Sequence, residues 1–151
     1  MRRVSHIGAT LFAALFLCLS PLVAYAQNEA FEAAEKVPAG IHEVSAGGFW
    51  TAGKDEGFFR IVVYAGGLEH VSHRIYIQWL RNDAKTQSYE LIRTVNVKEL
   101  NSGHGYLLDV KTSFGEINAF KVDVTAKDRG GMTKRFAITA SGDGKYTIRA
   151  R

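Results

Sequence analysis

The residues best suited to chemistry in this chain are two arginines set among aromatic side chains on a single pair of strands. Phe58 to Tyr64 and Val71 to Leu80 read as the strongest strands, joined by Ala65-Gly66-Gly67-Leu68-Glu69. A loop of that length puts Val63 opposite Val71, Ile61 opposite His73 and Phe59 opposite Ile75. One face then gathers Phe59, Ile61, Val63, Val71, Ile75, Ile77 and Trp79 as core, and a one-residue slip would scatter them onto both faces. In this register Arg60 and Arg74 stand directly across from each other on the opposite face. Like charges at a cross-strand pair are unfavourable unless something neutralises them.

The neutralising group is either structural or a ligand. Glu90 or Glu43 on a neighbouring strand would make the arginines an ion-pair network. Otherwise the planar guanidinium forks suit a carboxylate or phosphate. Tyr64, Tyr76, Gln78 and His70 then complete a surface for an anionic or polyhydroxylated ligand. Trp50, beside the Gly47-Gly48 bend, is the tryptophan better placed to be exposed as a sugar platform. Charged strand faces are commonly just solvated, which favours the structural reading of the arginines.

His70 and His73 are the weak metal candidates. Residues three apart on a strand point to opposite faces, so they share a metal only if His70 lies in the loop. His42 and His104 are distant in sequence. No cysteine cluster or His-x-x-x-His spacing supports a metal centre, and His73 reads better as a buried, hydrogen-bonded core residue. No nucleophile elbow, zinc-protease or phosphate-loop motif is present, and no cofactor is called for. Asp109 and Asp123 fall on separate strands, so carboxylate chemistry would need the fold to unite them.

The elements that position these residues are short strands. Phe120, Val122 and Val124 alternate with Lys121, Asp123 and Thr125, a clean half-buried pattern. Phe136 and Ile138 point inward on the next strand, and glycine-rich turns recur about every ten residues. Roughly eight strands are expected, the signature of an antiparallel sandwich or barrel. The closing Gly144-Lys145-Tyr146-Thr147-Ile148 resembles the last strand of immunoglobulin-like or prealbumin-like sandwiches. That resemblance implies a single all-β sandwich and no particular activity.

The first residues set the cellular context. Met1-Arg2-Arg3, an apolar run from Ile7 to Leu19 and the small-x-small Ala24-Tyr25-Ala26 form a general secretory signal peptide, 1–26. The run is short for a membrane span of roughly twenty residues, so no anchor is expected after cleavage. Leu15-Phe16-Leu17 before Cys18 is too bulky for lipidation. The mature chain divides into a tail, 27–40, and a β-sandwich domain, 41–151. Losing Arg2 and Arg3 brings the whole-chain balance from +4 to +2, which argues against nucleic acid as a partner. The one cysteine leaves with the leader, so the exported domain rests on its core and not on disulfides.

These features point to an exported, non-enzymatic binding or interaction domain, periplasmic or secreted, with a protein or an anionic or glycan ligand of the envelope as partner. The alternatives are a small extracytoplasmic hydrolase using His70, Asp109 or Asp123, and a histidine-based metal accessory protein. The first expectation is chemical: the exported protein begins at Gln27. Intact mass tests it, and a membrane-held species that retains Met1 to Ala26 would overturn it.

Overall fold

The computed structural model describes residues 32–67, 71–102, 106–113, 116–128 and 130–151. The signal peptide expected over 1–26, and its cleavage site, lie outside them. The chain divides into a unit ending at Pro38 and a unit spanning Ala39–Arg151. In the first, residues 32–35 are helical and residues 32–38 are exposed. No helix among the described residues is long and apolar enough to cross a membrane.

The second unit is all-β. Its elements are β1 (Ile41–Ala52), β2 (Asp55–Gly66), β3 (Ser72–Asp83), β4 (Ser88–Asn96), α1 (Lys98–Asn101), β5 (Tyr106–Ser113), β6 (Ala119–Lys127), β7 (Thr133–Ser141) and β8 (Tyr146–Ala150). They form two four-stranded antiparallel sheets, ordered β1-β2-β3-β4 and β5-β6-β7-β8. Each sheet is therefore a meander of consecutive strands. Immunoglobulin domains distribute their strands differently, interleaving the two sheets as ABED and CFG, so the expected likeness does not extend to that strand order.

Period-two patterning explains the strands and the core together. In β6, Phe120, Val122, Val124 and Ala126 are buried while Lys121 and Asp123 are exposed. The inward residues of both sheets form one cluster that includes Phe59, Ile61, Ile75, Ile77, Trp79, Phe120, Val122 and Ile138. At its centre the rings of Phe59 and Phe120 stack, with centroids 5.4 Å apart and planes 10° from parallel. Trp79 meets Phe59 edge-on at 5.7 Å. Burying each such ring contributes about 1.5–3 kcal/mol. Phe136, expected to be fully inward, is only partly buried at the margin.

Two glycines are required by this packing. Gly48 is the extra residue of a bulge between Gly47 and Phe49, with φ at +66°. A β-carbon there would lie 3.3 Å from both Phe59 and Phe120, so the bend foreseen at Gly47-Gly48 makes room for the ring stack. Gly57 sits where β3 crosses closely: its β-carbon would fall 1.8 Å from the Leu80 carbonyl oxygen.

The β2–β3 register differs from the expected one. Val63 pairs with Ile75, Ile61 with Ile77 and Arg60 with Gln78, while Gly66 still pairs with Ser72. The strands thus run further before turning, and the slip amounts to four residues. Because four is even, every side chain keeps its face; only Val71, expected in the core, is exposed, at 51%.

The short helix α1 has a definite task. On its β4 side Ile75 lies one residue beyond the ladder, and only Val97 N–H reaches its carbonyl, at 3.3 Å. The Asn101 side chain supplies the rest: its Oδ1 accepts from Ile75 N–H and its Nδ2 donates to Ile75 O, each at 2.8 Å. The two sheets are also tied directly. Trp79 Nε1 donates to Ser141 O at 2.9 Å, Ser45 and Thr112 share a hydroxyl bond of 3.2 Å, and Thr51 N–H donates to Asn118 Oδ1.

Truncation separates the centre of the core from its margin. Phe120→Ala should cost about 3–5 kcal/mol of unfolding free energy, the range for a fully packed ring. Phe136→Ala should cost clearly less because its site is half open. Urea unfolding of both variants checks this, and equal losses would contradict it.

Candidate functional site

The outer face of the first sheet carries the residues singled out by the sequence. Alternation in β2 and β3 turns Arg60, Tyr64, Arg74, Tyr76 and Gln78 outward while their neighbours enter the core. Arg60 and Arg74 do share this face, but they are not side by side. Arg60 is opposite Gln78 and Arg74 is opposite Tyr64, which separates the arginines by four positions, about 13 Å along the strands. The cause is the four-residue slip of the hairpin.

Each arginine has its own setting. Arg60 Nε donates to Gln78 Oε1 at 2.7 Å, and Gln78 Nε2 donates onward to Thr94 Oγ1 at 3.2 Å. This polar row crosses β2, β3 and β4 and aims the guanidinium. Arg74 is exposed beside Tyr64, which is 41% exposed. Among the described residues, no carboxylate lies within ion-pair distance of either arginine. Glu90, the expected structural partner, is taken by Arg81 at 2.5 Å, and Glu43 forms no ion pair there either.

Trp50 requires a correction. It is only 4% exposed, and its indole N–H donates to Phe58 O at 3.2 Å. The bulge that frees Gly48 turns Trp50 inward and Phe49 outward, so the exposed ring is Phe49, at 67%. Phe49 begins an apolar row that crosses the sheet through Phe58, Leu80 and Leu91.

His73 is a core residue at 7% exposure, opposite Ala65 and not Ile61. Its Nδ1 accepts the Leu107 backbone N–H at 3.3 Å, which joins β3 to β5. Tyr106 and His42 approach it edge-on, with centroids at 5.0 and 5.2 Å. Burial first, and the neighbouring His42 second, hold His73 below the ordinary imidazole range. A neutral imidazole accepting at Nδ1 carries its proton on Nε2. A metal would therefore have to displace either that proton or the Leu107 amide. Among the described residues, no three His, Cys, Asp or Glu side chains converge on one point. His70 and His104 lie outside the described residues.

Asp109 and Asp123 are brought closer than their spacing suggested. Asp109 pairs with Thr125 and Lys111 with Asp123, so the two carboxylates are diagonal neighbours on β5 and β6. Each is engaged by a cation, Lys111 at 3.0 Å and Arg151 at 2.9 Å respectively. Beside Asp123 the outer face of the second sheet is hollowed into a trough of about 590 Å³, lined by Lys121, Asp123, Ala137, Thr139, Thr147 and Arg149 among others. No motif in the sequence marks this trough. Its signal was present as the outward positions of β6, β7 and β8, which alternate with the core residues.

The lowered pKa of His73 sets a pH dependence with a definite sign. The unfolded chain binds a proton near pH 6.5 and the folded chain only below that. The stability linked to neutral His73 is therefore present above about pH 6.5 and lost as pH falls through the lower folded value. His73→Gln keeps a hydrogen-bond acceptor without titrating, so its urea midpoint should fall less than wild type between pH 7.5 and pH 5. Parallel curves would contradict the assignment.

Comparison with protein-family models, with curated proteins and with solved structures found no match.

Proposed function

We propose that the chain is an exported, non-enzymatic β-sandwich binding domain of the cell envelope. In this reading the leader is cleaved after Ala26, no anchor remains, and the two meanders stack as the layers of a prealbumin-like sandwich. The outer face of the first sheet takes an anionic or polyhydroxylated partner, a protein or a glycan of the envelope. Arg60 and Arg74 contact acidic groups, while Tyr64, Tyr76 and Gln78 supply apolar and hydrogen-bonding surface between them.

One observation carries this reading. Two arginines share one sheet face, and neither has a carboxylate within ion-pair distance among the described residues. A solvated structural pair would be expected to recruit Glu90 or Glu43, and Glu90 is occupied elsewhere. The separation of about 13 Å favours a partner with repeated acidic groups over a single small anion. The Gln78 and Thr94 row presets the Arg60 fork, which reduces the ordering cost of each hydrogen bond formed.

The test is retention on an acidic envelope glycan coupled to a resin. Wild type should bind and be released by salt, because exposed ion contacts are screened. Replacing Arg60 and Arg74 together with Gln should abolish retention and leave the thermal midpoint close to wild type. Undiminished retention of a folded double variant would overturn the assignment of this face.

A further inference from the structure

We propose that the trough on the second sheet is a separate site for a sugar acid, a monoanionic saccharide unit bearing one carboxylate. The geometry comes from two neighbouring cross-strand rows. Ser113, Lys121, Thr139 and Thr147 lie across β5, β6, β7 and β8 in one row, and Lys111, Asp123, Ala137 and Arg149 in the next. All are on the outward side, because the intervening Val122 and Ile138 enter the core. Ala137, between Asp123 and Arg149, projects only a methyl group, and this low point forms the floor. A volume of about 590 Å³ lies within the range of roughly 300–1,000 Å³ typical of small-ligand sites.

The polar groups select the ligand. Lys121 is engaged by Glu116 at 3.6 Å and Arg151 by Asp123 at 2.9 Å. Among the described residues Arg149 has no carboxylate within ion-pair distance, so its fork is the one left to take an acidic group. Thr139 and Thr147 are directly opposed on β7 and β8, and their hydroxyls make no side-chain hydrogen bond among the described residues. Hydroxyls that both donate and accept match the hydroxyls of a sugar. Asp123 accepts from Arg151 and retains lone pairs for a further donor. Its negative charge beside the floor also disfavours a dianion such as phosphate. One carboxylate on a polyhydroxylated ring satisfies all four groups.

The site is independent of the arginine face of the first sheet, and the experiment separates them. The labelled chain, purified after export, is titrated by NMR with an aldobiouronic acid, with the corresponding neutral disaccharide, and with inorganic phosphate. The acid should shift amide signals of β6, β7 and β8 around Asp123, Thr139 and Arg149 saturably. The neutral disaccharide should bind about tenfold or more weakly, the scale of one charge-assisted hydrogen bond, and phosphate should not saturate. Arg149→Gln should weaken the acid to a similar degree, Thr139→Val by severalfold, and the Arg60 and Arg74 double variant not at all. Any of four results overturns the proposal: equal binding of phosphate or the neutral sugar, unchanged affinity in Arg149→Gln, shifts confined to the first sheet, or no saturable shift with the acid.

Discussion

The flat stack of Phe59 on Phe120 is the contact on which the rest of the domain depends. It joins the two sheets at their centre, and it exists only because Gly48 holds a left-handed backbone without a side chain. A β-carbon at that point would press on both rings. The bulge that accommodates them also rotates β1, so that Trp50 turns inward to close the core and Phe49 turns out to solvent. One residue without a side chain thus decides which aromatic of the pair is structural and which belongs to the surface. Without a disulfide to cross-link the domain, this stack and its aliphatic surround must supply most of the stability.

Polar ties limit how the sheets can shift around that centre. Trp79 to Ser141, Ser45 to Thr112, His73 to Leu107 and Asn118 to Thr51 each run from the first sheet to the second half of the chain. A net hydrogen bond contributes about 0.5–1.5 kcal/mol, so the ties contribute less than the core but constrain direction more. Tyr146 adds another: its hydroxyl donates to Glu99 and accepts from Lys98 N–H. Burial, followed by the Glu99 bond, raises its pKa above the usual phenol range, so it remains a donor throughout the physiological range. The outer faces, relieved of any role in the core, are left with unequal chemistry. The first sheet offers arginines and aromatics, the second a trough with an alanine floor and threonine hydroxyls beside it.

Much of the fold was legible because alternation and glycine carry strong physical meaning. The eight strands, the inward residues of β2, β3 and β6, the bend at Gly48 and the buried state of His73 follow from period-two patterning and backbone freedom. The hairpin register was not legible, since shifts by an even number leave every hydrophobic face intact. Only the turn residues could arbitrate, and Gly66 proved to be a strand residue. The longer strands set Arg60 four positions from Arg74. Asn101 was invisible for a different reason: an amide that mimics a missing strand depends on where β4 stops. The trough is not legible because Ala137, Thr139 and Thr147 are small and ordinary until the pairing of β7 with β8 sets them beside Arg149.

The sequential order of strands within each sheet has a consequence for how the chain reaches this structure. Every ladder closes between neighbours in sequence, so pairing requires only short loops and a small loss of chain entropy. The long-range event is the meeting of the two sheets, linked covalently only once, after α1. Such a topology has a lower contact order than an interleaved sandwich of the same size and should fold faster for it. It also divides the molecule at one natural seam, on either side of which the strand ladders close among themselves and the core is half built.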